Sequence, residues 1–125
     1  MTTFEFGDVV LVDFPRSDSS GRKRRPALAI LDLGDRDAVL APITTRERSG
    51  PGDLELHYWS QAGLLRASWV RVAKLASIER AFITRKLGVL SDRDRAAVAE
   101  TGASIFPFTK ESEEGSMPDP ELEQK

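Results

Sequence analysis

The sequence predicts a mainly β fold, a small antiparallel sheet or barrel followed by one C-terminal helix. Three observations point there. Short valine- and leucine-rich runs recur up to residue 90, each bounded by Gly, Pro, Asp or Ser clusters. A single stretch, "SDRDRAAVAETGASIF", combines an N-cap with apolar residues at helical spacing. The chain has 125 residues, 40% hydrophobic and 7% aromatic, which suits one domain with a small core.

The first strand is "GDVVLVDF", residues 7–14. "PRSDSSGRKRR" follows and reads as a long loop, because proline, glycine, serine and aspartate all favour turns. "PALAILDL" and "DAVLAPIT" are the next strands, separated by the turn "GDRD". After a second polar loop, "TRERSGPGD", come a shorter strand "LELHYW" and the alternating "ASWVRVAKL". "SIERAFITRKLGVL" reads as strand, bend, strand. Ser91 is the helix N-cap with Asp94 at the third helical position, the capping-box arrangement. Ala97, Val98, Ile105 and Phe106 supply the apolar stripe, with Gly102 a weak point or an early end. Residues 1–109 form the domain. Residues 110–125, interrupted by Pro118 and Pro120, are expected to be a disordered tail.

Charge is unevenly spread. Residues 111–125 hold six acids and one base, a net −5 against −2 for the whole chain, so residues 1–110 carry +3. A mildly basic body permits a polyanionic partner. With no cysteine there is neither a disulfide framework nor a thiolate nucleophile. The single histidine, His57, excludes paired-His acid/base catalysis, disfavours a transition-metal site and reads as a strand-end residue. There is no charged leader and no apolar run long enough to span a bilayer, so a cytoplasmic protein is expected.

The basic stretch "SGRKRRPALAI" carries the most specific signal. It is no phosphate loop of the G-x-x-x-x-G-K-[ST] type, for it lacks the first glycine and the hydroxyl after the lysine. Pro26 fixes its own φ and pushes the preceding residue toward an extended conformation, so Arg25 is held at the head of a strand where its guanidinium can be aimed. Arg22, Lys23 and Arg24 lack that restraint and suit phosphate steering. Thr44 and Thr45 close an apolar strand just before Arg46 and Arg48, although threonine is also an ordinary strand residue. Arg71 lies between apolar neighbours, the usual setting of a solvent-facing arginine. Asp8, Asp13 and Asp18 lie in or beside the first strand and its loop, where alternation can bring one near Arg25 as an orienting partner or as a base. Trp59 and Trp69 read as core or interface residues, and an exposed one would suit base stacking.

In this order, "GDVVLVDFPRSDSSGRKRRPALAI", "LAPITT", "LLRASWVRVAKLASI" and "ITRKLGVLSDRDRAAV" resemble the MazF/PemK family of toxin–antitoxin ribonucleases, from about Phe6 to Phe106. The resemblance implies an SH3-like barrel with a C-terminal helix. It also implies a homodimer that cuts single-stranded RNA without metal or other cofactor, and an antitoxin that covers the RNA groove. The family's catalytic arginine precedes the proline heading the second strand, here Arg25, and its catalytic threonine falls at Thr44. RNA-contact candidates are Arg22, Lys23, Arg24, Thr45, Arg46 and Arg71. Some members carry an acidic residue two positions after the arginine of the "V-R" strand, where this chain has Ala73. Relatives of the same fold bind DNA gyrase instead and depend on a tryptophan near the C-terminus. This chain has none after Trp69. An inactive RNA-binding barrel is the remaining alternative.

Overall fold

The computed structural model describes residues 3–15 and 21–108. Asp18 and the tail at 110–125 lie outside these residues, as does the side chain of Arg22. Seven strands and one helix follow in order: β1 (Asp8–Pro15), β2 (Arg22–Leu31), β3 (Asp37–Thr44), β4 (Asp53–Glu55), β5 (Trp69–Arg71), β6 (Ala76–Glu79), β7 (Ile83–Val89) and α1 (Asp92–Ile105). All described pairings are antiparallel, in the path β4-β5-β3-β2-β1-β7 with β6 also on β3. The expected antiparallel fold with its C-terminal helix is therefore present. The barrel is not closed: β4 and β7 end the path without pairing to each other.

β2 starts four residues before Pro26. Arg22, Lys23 and Arg24, expected in a loop, instead pair with Pro15, Phe14 and Asp13 of β1. Backbone hydrogen bonding needs no burial, so a charged segment can extend a hairpin past the core. "LELHYW" departs from expectation in the other direction. Its strand stops at Glu55, and His57 and Tyr58 lie in turns.

The sheet buries apolar residues on both faces, as period-2 alternation requires. Val9, Leu28, Ala41, Ile43, Val70 and Val98 belong to the cluster under the helix. Val10, Val12, Ala27, Ala29, Ala38 and Leu40 form a smaller cluster on the opposite face. β3 divides its free edge between two partners. Residues 37–40 pair with β6, while Ile43 and Thr44 pair with β5. A 3₁₀ turn, Val72–Lys74, bridges these partners. Pro42, in the interval between the two ladders, has no N–H to donate. This split opens a gap beside the end of β3.

Ser91 caps α1 as expected, its hydroxyl accepting from the Asp94 N–H at 3.1 Å. The reciprocal half of the capping box is replaced. The buried Asp94 carboxylate accepts the His57 N–H at 3.0 Å and the Tyr58 N–H at 2.8 Å, pinning the turn after β4 to the helix. The helix runs through Gly102, where a Cβ would meet Phe106 and Val72 only at ordinary contact distance. Among the described residues no helix is long and apolar enough to cross a membrane.

A second anchor ties three segments together. Asp32, its side chain buried, accepts the Phe4 N–H at 2.7 Å and the Gly34 N–H at 3.0 Å, and both its oxygens take Arg80 guanidinium bonds. The Arg80 hydrogen bonds hold the Asp32 carboxyl well below its ordinary value, and the same bonds raise the Arg80 pKa.

Candidate active site

Strand parity decides which predicted residues meet. On β2, Arg25 shares a face with Ala27 and Ala29 of the smaller cluster. On β3, Thr44 shares a face with Leu40. The β2–β3 ladder ends at Ala27 opposite Pro42, and continuing its register by two residues leads to Arg25 and Thr44. Both line a cavity of about 460 Å³ in the gap beside β3, on the sheet face opposite α1. Its floor is apolar, with Ala27, Leu40 and Ile78, while Arg71, Arg48 and Lys74 add three cations to Arg25. The volume falls within the range of small-ligand sites.

Each principal side chain is placed by a local device. Arg25 is held by the β1 ladder, opposite Val12, and by Pro26 after it. The Thr44 oxygen accepts the Arg46 N–H at 3.1 Å, which leaves the hydroxyl proton free to donate. Arg71 does not point loosely at solvent, as its sequence setting suggested. It is partly buried, and its Nε donates to Asp53 Oδ1 at 3.1 Å. The other Asp53 oxygen accepts the Gly50 N–H at 3.0 Å, so one carboxylate fixes both Arg71 and the loop after β3. Gly52 allows this close approach: its φ is +85°, and a Cβ there would lie 2.8 Å from the Ala73 Cβ.

Other predicted residues are distributed differently. Thr45, one position on, lines a separate cavity of about 420 Å³ with Pro26, Leu65, Arg66 and Arg85. Lys23 has the parity of Arg25 and Arg24 the opposite one, and both are exposed. Arg46 is exposed and joins the site through its backbone N–H. Asp8 is occupied at the start of β1 by the Glu5 N–H at 2.9 Å and by Lys86 at 3.2 Å. Neither Asp8 nor Asp13 is among the residues lining the Arg25 cavity, and among the described residues no carboxylate or histidine is. Ala73 lies exposed in the 3₁₀ turn. His57 is exposed and joined to the fold through its backbone.

Two cavity residues carried no distinctive sequence signal. Arg48 sits in a loop that reads as generic polar chain, and Lys74 ends an apolar alternation. The loop between β3 and β4 brings Arg48 to the cavity, and the 3₁₀ turn after β5 brings Lys74.

The fold matches several solved structures. One is an endoribonuclease in complex with its cognate antitoxin from a mycobacterial species, with a TM-score of 0.68 at 15% identity over 85% of this chain and 97% of that one. Another is the MazE–MazF complex of Deinococcus radiodurans, at 0.68 and 18% identity over 87% and 100%. A third, the Mycobacterium tuberculosis toxin MazF-mt6, gives 0.60 and 21% identity over 76% and 93%. No curated protein matches the sequence. The model of the PemK-like, MazF-like toxins of type II toxin–antitoxin systems matches residues 5–106, nearly the whole described body, and the chain belongs to that family.

Proposed function

We propose that this toxin is a metal-independent, sequence-specific endoribonuclease that cuts single-stranded RNA at the Arg25–Thr44 cavity. The observation that carries the reading is the meeting of Arg25 and the Thr44 hydroxyl in one cation-lined cavity whose lining includes no carboxylate, histidine or thiol. Among the described residues such a site has donors but no carboxylate or histidine to activate a side-chain nucleophile. RNA supplies its own. The 2′-oxygen bonds to phosphorus as the P–O5′ bond breaks, the 2′-OH proton passes to solvent, and the departing 5′-oxygen takes up a proton. The products are a 2′,3′-cyclic phosphate and a 5′-OH end.

Arg25 provides paired, charge-assisted donors to the phosphate oxygens. Thr44, its oxygen already accepting from Arg46, gives its proton to the same group. Donors fixed before reaction stabilise the dianionic phosphorane without reorganisation, and removing one costs about 10²–10³ in rate. Arg71 and the basic hairpin residues Arg22, Lys23 and Arg24 guide the strand, with Arg46 and Thr45 as outer contacts. The toxin works in the cytoplasm as a homodimer, and a cognate antitoxin with an acidic segment silences it by occupying the cationic cavity.

The test is to incubate the protein with a long mixed-sequence RNA in EDTA, beside Arg25→Ala and Thr44→Ala. Discrete cuts ending in cyclic phosphate, lost in both folded variants, are the expected result. A folded wild type that leaves the RNA intact would overturn the nuclease reading and favour a binding role.

A further inference from the structure

We propose that Arg48 is a phosphate ligand of the substrate strand, holding a backbone phosphate that flanks the scissile one. The proposal rests on the nuclease reading of the cavity, to which it adds a second anion subsite.

Arg48 lines the same cavity as Arg25 and Thr44 and is half-buried. Its Nε is shut off from solvent and has no hydrogen-bond partner among the described residues. Such a nitrogen can only donate, so burial without an acceptor carries a desolvation cost with no return inside the fold. Native structures leave few buried donors unmet, and each of those few calls for an explanation, a functional role or a bound ion among them. Other arginines of this chain show the ordinary solution: the Nε of Arg71 reaches a carboxylate, and that of Arg80 reaches the Asp35 carbonyl.

Among the described residues the cavity lining offers no carboxylate, and an external anion would supply the acceptor. A guanidinium fork matches a tetrahedral oxyanion with two parallel donors, and phosphate is that group in RNA. The backbone that carries Arg48 is also held. The loop that carries it is closed by the Gly50 N–H on Asp53 at 3.0 Å and by the Asp53 N–H on the Gly50 carbonyl at 3.0 Å. Asp53 therefore ties down both the loop that carries Arg48 and the side chain of Arg71, and both arginines line the cavity.

Binding is measured with an all-2′-O-methyl RNA of mixed sequence, which has no free nucleophile, so affinity is read apart from cleavage. Fluorescence anisotropy over a range of salt concentrations compares wild type, Arg48→Ala and Arg48→Lys. Arg36→Ala, which removes an exposed charge paired to Glu79, is the control. Arg48→Ala should weaken binding roughly tenfold for all sequences and reduce the salt slope by about 0.7, the value for one phosphate on a single strand. Arg48→Lys should keep the slope and recover only part of the affinity, and Arg36→Ala should change neither. The melting temperature of Arg48→Ala should stay level or rise, since an unmet buried donor leaves with the side chain.

A wild-type slope in Arg48→Ala overturns the proposal. So does a clear drop in its melting temperature, which would make Arg48 structural. Loss of the dimer in sedimentation would show that a second copy supplies the acceptor, and overturns it likewise. If the wild type binds with the Arg48-dependent slope yet cuts no RNA, the nuclease reading falls and the anion site stands. If it cuts RNA while Arg48→Ala binds normally, the anion site alone falls.

Discussion

Two half-buried arginines of this small sheet are used in opposite ways. Arg80 is saturated: it binds both oxygens of a buried carboxylate, and its Nε donates to a backbone carbonyl at 3.1 Å. Arg48 keeps a buried Nε without a partner among the described residues. The first joins the N-terminal segment, the β2–β3 turn and the turn before β7. The second faces a cavity. A cation that serves the fold finds its acceptors within the chain, whereas one that serves a ligand waits for them, and the fold tolerates the cost of the vacancy.

The largest effect that separates the two regions is catalytic. Thr44→Ala should lower RNA cleavage by about 10²–10³ with little change in melting temperature, because its hydroxyl accepts only one loop N–H. Asp32→Asn should do the reverse, leaving turnover per folded molecule intact while lowering stability. A Thr44 variant that melts early, or an Asp32 variant that folds normally but does not cut, would break the comparison.

Acid sharpens it. Asp32 titrates below its ordinary 3.8 in the folded chain, so its contribution is full above that pH and is lost as pH falls through it toward the folded value. Melting temperature in the wild type should therefore decline below about pH 4, while Asp32→Asn starts lower at pH 7 and declines less. Parallel curves would assign the acid sensitivity to other carboxylates.

Asp53→Asn is expected to act at the boundary between the two uses, since Asp53 is buried like Asp32 but holds a cavity arginine. Releasing Arg71 should weaken RNA binding several-fold, less than the full value of a charge-assisted bond, because Arg71 keeps its charge and loses only its fixed position. The cleavage rate at saturating RNA should hold. A rate loss without an affinity loss would place Arg71 at the reacting phosphate instead. The smallest expected change is Ser91→Ala, about 0.5–2 kcal/mol of stability from the lost N-cap, visible in denaturant melts and absent from RNA binding.

Much of the fold was legible because its signals are local. Valine-rich runs mark β1–β3, Ser91 marks the start of α1, and the Arg25–Pro26 pair marks a strand residue with restricted backbone. The errors have local causes too. Charge and glycine made Arg22–Arg24 read as loop, although ladder hydrogen bonds are indifferent to side-chain polarity. Hydrophobicity made Leu56–Trp59 read as strand, although those residues turn toward Asp94 on the helix, which residues 56–59 alone could not reveal.

The succession of strands along the chain, the helix and its cap, and the residue types a phosphate-handling site requires were all readable before any pairing was known. Strand alternation already separates Thr44 from Thr45, yet which of the two meets Arg25 was settled by the β2–β3 register. Tertiary structure alone decided that the sheet stays open, that β3 splits between β5 and β6, and that the resulting gap gathers Arg48, Arg71 and Lys74 around Arg25. The reason is physical: propensity and periodicity act over a few residues, while a site assembled from positions 25, 44, 48, 71 and 74 exists only once long-range pairing has set their distances.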